Sequence, residues 1–240
     1  MKLTSILSAA VLASTAVADS YPYVRLSKNE SVLVILDMQE GLIPLVRDYD
    51  PIVYKNNMLA YGSLATVWTE IPVVMSTSAQ TGPNGPLPQE FLDWYPDAPL
   101  IQRNGEVDAW DNEEFRAAIK ATNKTQVILG GIVTDVCTAF LARSLRAEGY
   151  DVWAVIEASG TSTPEVRDIA NDQMIKAGVN VVSLFAVLGE LMRDWRNTPG
   201  ALEVWPWVDK YMPAGGINAR AHRAAILNGT IVPGQDQLPH

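Results

Sequence analysis

Cysteine and histidine are scarce in this chain, which has one cysteine and two histidines among 240 residues. A single cysteine excludes an intrachain disulfide, and His222 and His240 lie near the end of the chain without the spacing of metal ligands. The sequence has no C-x-x-C, H-E-x-x-H, G-x-S-x-G or G-x-G-x-x-G motif. These absences argue against zinc, a serine-hydrolase triad and a dinucleotide, so we predict no metal and no cofactor.

Positive charge is scarce as well, with 18 Lys and Arg residues against 27 Asp and Glu residues and a formal net charge of −9. A surface this acidic repels the phosphates of nucleic acids and of anionic lipids. Beyond the N-terminus no apolar run is long enough to cross a bilayer. We therefore expect neither a nucleic-acid partner nor a membrane partner.

The N-terminus has the composition of a secretory signal peptide. Residues 1–18 combine a basic start at Lys2, a short apolar stretch and the small-residue pattern that ends at Ala18. A buried N-terminal helix is the alternative interpretation. We expect cleavage after Ala18 and secretion of the remaining chain. N-glycosylation sequons, which agree with secretion, begin at three asparagines: Asn29, Asn123 and Asn228.

Short apolar runs alternate with helical patterns along the rest of the chain. Six such runs predict strands, beginning with the uninterrupted SVLVILD of residues 31–37, which is typical of a parallel strand covered on both faces. One predicted helix has Thr163 as its N-cap, Pro164 at its first position and Gly178 at its end. The alternation predicts a doubly wound α/β fold.

Two segments depart from this alternation. Residues 78–99 are dense in proline and glycine and are predicted to form a long ordered loop that shapes the pocket. Residues 196–240 are rich in aromatic residues and proline, and we expect this tail to pack on the domain or on a neighbouring subunit. The predicted domain therefore spans residues 19–195.

Three polar side chains are predicted at the carboxyl ends of strands, where open parallel sheets place their reactive crevice. Asp37 ends the first strand, Arg103 ends the third, and Cys137 begins the helix after the fourth. A helix N-terminus and a guanidinium both favour a thiolate. Asp37 could take the thiol proton and pass it to a leaving amine. Backbone N–H groups of the GGIVTDVC turn could hold an oxyanion.

Each of these residues also has a plainer interpretation. Asp37 could cap a turn, Arg103 could be a solvated charge, and an isolated Cys137 is more often an apolar filler of a core. Trp110 and Phe140 are typical packing residues. Only the joint arrangement favours a catalytic site.

The segments VLVILDMQEGL, TSAQTGPNGP and GGIVTDVCTAFLARSLRAEGYDVWAVIEASGT resemble the isochorismatase-like cysteine hydrolase superfamily. GPNGP, NGEVDAWDN and RDWRN are most similar to its YcaC-type branch. The resemblance covers about residues 21–200. It implies a Rossmann-like three-layer α/β/α sandwich with a six-stranded parallel sheet, and hydrolysis of C–N bonds in small amides or of a related substrate.

By the same resemblance, Asp37 matches the family aspartate and Cys137 the nucleophile, which would form a thioester-type intermediate. A cis peptide before Thr134 would shape the oxyanion hole. We accordingly place four residues around the substrate and the oxyanion: Val133, Thr134, Gln39 and Trp110. YcaC-type proteins assemble as octamers, so a homo-oligomer is expected, and EFLDWYPDAP lacks the metal ligands of nicotinamidases.

The departure from the wider superfamily is Arg103, which stands where that superfamily has lysine. Arginine is a permanent cation that stabilises a thiolate but cannot carry a proton. This leaves two alternatives to a small-molecule hydrolase. One is a catalytically silent oligomeric binding protein that retains the pocket, and the other is a redox-sensing or interchain-linking role for Cys137.

Overall fold

Six parallel strands form one sheet in the computed structural model, which describes residues 24–230. The strands are β1 Ser31–Leu36, β2 Val73–Ser78, β3 Leu100–Arg103, β4 Gln126–Gly131, β5 Asp151–Val155 and β6 Asn180–Val182. Their order in the sheet is β3-β2-β1-β4-β5-β6, and every neighbouring pair is parallel. The predicted six-stranded parallel sheet is confirmed. The predicted signal peptide lies outside the described residues.

Helices cover both faces of this sheet. They are α1 Pro51–Gly62, α2 Leu64–Val67, α3 Gln89–Trp94, α4 Glu113–Ala121, α5 Ala139–Ala147, α6 Pro164–Lys176, α7 Leu184–Met192, α8 Ala201–Tyr211 and α9 Pro213–Leu227. Short 3-10 turns lie at Ile43–Leu45, Ala109–Asp111 and Ile156–Ala158, and a π-helix at Thr134–Thr138. The predicted N-cap of α6 is confirmed, because Thr163 Oγ1 accepts a hydrogen bond of 3.3 Å from Val166 N.

The sheet separates two apolar cores, which gives the three layers. Leu33 and Ile35 of β1 pack in one core with side chains of α1, α7 and α8. Val32 and Val34 pack in the other core with side chains of α4 and α5. All six residues of β1 are buried, which explains why its apolar run shows no polar alternation.

The structure differs from the sequence-based expectation in three segments. The proline-rich loop contains the short helix α3, the helix carrying Cys137 begins as the π-helix, and the tail after residue 195 contains α8 and α9. Pro206 lies inside α8, and such a proline conceals a helix because it normally interrupts one.

Helix α8 packs on the domain itself. Trp207 Nε1 donates a buried hydrogen bond of 2.7 Å to Ser63 Oγ, and Asn56 Nδ2 donates one of 2.8 Å to the Tyr211 carbonyl. Trp207 and Tyr211 also belong to the core that contains α1. The packed unit therefore extends past residue 195, beyond the predicted domain boundary.

Across residues 24–230, the helices are too short or too polar to span a bilayer.

Candidate active site

Three strand ends bring Asp37, Arg103 and Cys137 together. Asp37 follows β1, Arg103 is the last residue of β3, and Cys137 lies in the π-helix after β4. Arg103 Nη2 donates a hydrogen bond to Asp37 Oδ2 within an ion pair whose two side chains are fully buried. Asp37 and Cys137 interact strongly enough that each shifts the pKa of the other.

Arg103 is fixed along its whole guanidinium. Nε donates to Ser76 Oγ at 2.9 Å, Nη1 donates to the Glu106 carbonyl and Nη2 donates to Asp37. Only 1% of the residue is exposed. Arg103 is therefore a buried structural cation of this site, and the alternative of a solvated strand-end charge does not hold.

Asp37 has a left-handed backbone, with φ at 52°. Aspartate is among the few residues that adopt this region readily, and the Asp37 N–H is held by the Ser76 carbonyl at 2.9 Å. The two oxygens of its carboxylate differ. Oδ2 accepts the hydrogen bond from Arg103, whereas Oδ1 is buried without a hydrogen-bond partner among the described residues. Burial raises the pKa of Asp37, although the Arg103 charge opposes the rise.

The Cys137 thiol is neutral at rest. Burial raises the pKa of Cys137 to about 12, and the negative charge of Asp37 adds to the rise. The Arg103 charge and the Val133 N–H act in the opposite direction but are the weaker causes. The expectation of a stabilised thiolate is thus wrong, because Asp37 already neutralises the guanidinium and adds its own repulsion.

The buried ion pair determines where the thiol proton can go. Loss of the proton to solvent would leave a net negative charge in a desolvated site, which is costly. Transfer from Cys137 to Asp37 leaves the charge of the site unchanged. The arrangement therefore favours a thiol that loses its proton to Asp37 only as sulfur attacks.

The turn before Cys137 contains a cis peptide between Ile132 and Val133. It lies one bond earlier than expected. The Val133 N–H interacts with the thiol and is therefore near any atom that sulfur attacks. Thr134 is less available, because its N–H donates to the Gly160 carbonyl at 3.0 Å. Thr134 Oγ1 is buried and has no hydrogen-bond partner within residues 24–230.

The glycines of this turn serve packing. A Cβ on Gly131 would lie 2.6 Å from the Leu36 carbonyl oxygen, and one on Gly130 would lie 2.7 Å from Ala158 Cβ. Both positions thus require glycine for the approach of β1 and of the turn after β5.

Gln39, predicted near the substrate, holds the 78–85 loop instead. Its Nε2 donates to the Ser78 carbonyl at 3.1 Å and the Gly85 carbonyl at 2.5 Å, and its Oε1 accepts from Ser78 N at 2.7 Å. Both N–H donors of this side chain and one site on its carbonyl oxygen are thus occupied, which leaves little hydrogen-bonding capacity for a ligand.

Trp110, also predicted near the substrate, packs in the core. It is 7% exposed, and its ring lies edge-on to Tyr150 with centroids 5.9 Å apart. Phe140 is half-buried beside the Arg143 guanidinium at 5.2 Å. Both therefore have the packing role that was the plainer interpretation.

Sequence reasoning missed two groups that orient the cation, Ser76 and the Glu106 carbonyl. Ser76 belongs to a polar strand end, MSTS, which is a signal that the sequence offers. The Glu106 carbonyl has no such signal, because any residue supplies one. No group of three or more His, Cys, Asp or Glu side chains that could hold a metal lies within the described range.

Comparison with known proteins identifies the family of this chain. Residues 31–184 match the Isochorismatase domain. The chain is 49% identical over 176 residues to the probable hydrolase YcaC of Escherichia coli, which covers 73% of this chain and 84% of that protein. It is 28% identical over 183 residues to the secreted isochorismatase effector Isc1 of Phytophthora sojae, which covers 72% and 82%.

Solved structures extend the likeness to the fold. The crystal structure of the E. coli YcaC gene product, described as an octameric hydrolase of unknown specificity, aligns with a TM-score of 0.81 at 44% identity, covering 85% of this chain and 98% of that one. YcaC from Pseudomonas aeruginosa, with hexane-2,5-diol and covalent acrylamide, aligns with a TM-score of 0.81 at 42% identity, covering 84% and 98%. The predicted resemblance is confirmed, and the chain belongs to the isochorismatase family of hydrolases.

Proposed function

We propose that this protein hydrolyses the C–N bond of a small amide or carbamoyl compound, with Cys137 as the nucleophile. The observation that carries the proposal is the interaction of a neutral thiol with Asp37, which keeps one buried carboxylate oxygen, Oδ1, outside the Arg103 ion pair. A general base needs such a free acceptor within reach of the proton it removes.

The reaction would proceed in two stages. Cys137 Sγ bonds to the carbonyl carbon while its proton passes to Asp37, and the Val133 N–H stabilises the oxyanion. Asp37 then protonates the leaving nitrogen as the C–N bond breaks, which leaves a thioester. Water attacks the thioester, gives a proton to Asp37 and displaces sulfur, which recovers that proton. Arg103 holds the carboxylate in place and carries no proton.

The P. aeruginosa relative supports the choice of substrate class. Its covalent acrylamide is a small amide with an electrophilic double bond. By analogy we propose that acrylamide enters this pocket and alkylates Cys137, which makes it a probe of the thiol that needs no knowledge of the substrate.

The alternative of a silent binding protein is favoured by one observation, the raised pKa of the thiol. Buried structural thiols are inert. The two alternatives differ in the pH dependence of alkylation. A thiol that gives its proton to Asp37 reacts at a constant rate between the pKa values of Asp37 and Cys137, whereas a thiol deprotonated by solvent reacts about tenfold faster per pH unit.

We expect the Asp37→Asn variant to distinguish a hydrolase that uses Asp37 as its base from a silent binding protein. Asparagine keeps the shape but cannot take a proton, so turnover in a screen of small amides and carbamoyl compounds should fall by about 10²- to 10⁴-fold. Alkylation by acrylamide should be flat in the wild type over the pH range in which Asp37 is ionised and Cys137 is protonated. It should rise with pH in the variant, whose Cys137 pKa falls because the repelling carboxylate is gone. A wild-type rate that already climbs tenfold per pH unit would contradict the mechanism.

We also propose that the protein is secreted and assembles as a homo-oligomer through its tail. The P. sojae relative is named as secreted, and the E. coli relative is described as octameric. Asn29 and Asn123 are exposed, as glycosylation requires. Five large apolar side chains of the described residues are at least 60% exposed, and the last three, which lie in α8 and α9, would be covered by assembly through the tail: Ile52, Ile169, Leu202, Ile217 and Leu227.

Expression of the full chain in a eukaryotic secretory host tests these proposals together. We expect a secreted protein whose N-terminus follows Ala18, whose mass falls on glycosidase treatment, and whose sedimentation exceeds that of a monomer. The triple change of Asn29, Asn123 and Asn228 to Gln is the control, because it should lose only the glycosidase-sensitive mass. Retention of residues 1–18 in a protein that stays inside the cell would contradict secretion.

A further inference from the structure

Thr161 lies where three segments of the chain meet beside the nucleophile turn. It is 2% exposed. Its N–H donates to Asp48 Oδ1 at 2.9 Å, and its hydroxyl donates to Asp135 Oδ1 at 2.5 Å. Its carbonyl accepts from Arg47 N at 2.7 Å and from Asp48 N at 3.2 Å. One residue thus bonds the 46–48 segment to the π-helix that carries Cys137.

The backbone brings the same segments together. Thr134 N donates to the Gly160 carbonyl, and Ile132 forms a bridge with Gly160. A Cβ on Gly160 would lie 2.3 Å from Val46. The main chain therefore fixes where the π-helix begins, whereas the Thr161 hydroxyl bonds a side chain two residues before the nucleophile.

Acidic side chains from two segments of the chain accept hydrogen bonds from Thr161. Burial raises the pKa of Asp48, and the charge of Asp135 makes a smaller contribution in the same direction. The positive charge of Arg167 lowers the pKa of Asp48 and so opposes part of this rise. The Tyr49 hydroxyl, next to Asp48 in the chain, also interacts with Glu157 and Arg167. Two like charges held around one residue oppose each other, and Asp48 Oδ2 is buried without a hydrogen-bond partner in the described structure.

We propose that Thr161 is a positioning residue of the active site. Its hydroxyl holds Asp135, sets the rotation of the π-helix, and so keeps Cys137 Sγ directed at Asp37 Oδ1. This rests on the proposed function, since it assumes that Asp37 takes the thiol proton. Thr161 touches no reacting atom and acts through Asp135.

Thr161→Val tests the proposal, because valine keeps the shape and all three backbone hydrogen bonds and removes only the hydroxyl. We expect acrylamide alkylation of the full chain to slow at least tenfold at pH 7, since misplacement of a reacting group by about 1 Å costs on the order of 10²-fold. Over the pH range in which Asp37 is ionised and Cys137 is protonated, the profile should change from flat to rising. Thr161→Ser restores the hydroxyl and should recover the flat profile and a rate within about twofold of the wild type.

Thermal unfolding of each variant separates positioning from simple destabilisation. A Thr161→Val protein that melts at a lower temperature but keeps the flat, fast wild-type profile while folded would overturn the proposal. So would a Thr161→Ser protein as slow as Thr161→Val. A rising profile in the wild type itself would instead refute the role of Asp37, and with it both proposals, so the two failures are distinguishable.

Discussion

Replacement of Cys137 by alanine should reduce turnover of any substrate found for the wild type by a factor on the order of 10⁶, the usual cost of removing a covalent nucleophile. Asp37 and Arg103 would remain in place, but neither can form the thioester. The measurement is kcat for wild type and variant on the same amide, with the protein at high enough concentration to detect the residual rate.

Cys137→Ser is the matched control for this variant. Serine keeps a polar side chain of similar size in the half-buried position, so a comparable loss with serine shows that the sulfur itself is required. Its hydroxyl is far less acidic than a thiol and is a weak nucleophile without a strong base. An alanine variant that retained more than about 1% of wild-type turnover would contradict covalent catalysis at this position. It would also favour the silent-pocket alternative for the thiol.

The sheet and the convergence of the site could be predicted from sequence because both follow from local patterns. The apolar run of β1 ends at Asp37, and β3 ends at Arg103, so parallel topology alone places both at one edge of the sheet. The helix after β4 then contributes Cys137. None of these inferences needs an atomic distance.

The parts that failed depend on contacts that no pattern records. The sign of the Cys137 pKa shift follows from the burial of the thiol and from the nearby Asp37 charge, neither of which the sequence can measure. The placement of Gln39 and Trp110 near a substrate stays a prediction, and the contacts that the structure shows are the hydrogen bonds of Gln39 to Ser78 and the packing of Trp110 on Tyr150. The helix containing Pro206 was concealed because its stability comes from tertiary packing against α1, which overrides local propensity.

Replacement of Arg103 by methionine should lower the free energy of unfolding by about 3–5 kcal/mol at pH 7, because it leaves the buried Asp37 carboxylate without its counterion. Urea unfolding of the two proteins measures this. Arg103→Lys is the matched control, since lysine restores the charge and the superfamily's residue but cannot reproduce the bonds to Ser76 and Glu106 together. We expect its loss to be smaller.

The pH dependence of that loss identifies its cause. Burial raises the pKa of Asp37, and without the Arg103 charge the rise is larger. The folded variant then binds more protons than the unfolded chain, whose aspartate titrates near 3.9, so its stability falls as pH rises above that value. The deficit relative to the wild type should therefore be smaller at pH 4 than at pH 7. A deficit independent of pH would show that lost packing, and not an unpaired charge, is responsible.

Adding Asp37→Asn to Arg103→Met should recover much of the lost stability, because it removes the charge that the first change left unpaired. Asparagine is chosen since, like aspartate, it tolerates the left-handed backbone at position 37. We expect the double variant to be more stable than Arg103→Met at pH 7 while remaining inactive, as it has no proton acceptor. This result would separate stability from activity at the Asp37–Arg103 pair. Both the charged pair and the neutral pair of the double variant would fold, but only the charged pair would give Cys137 a base. Strictly additive losses would mean that Asp37 and Arg103 are not energetically coupled.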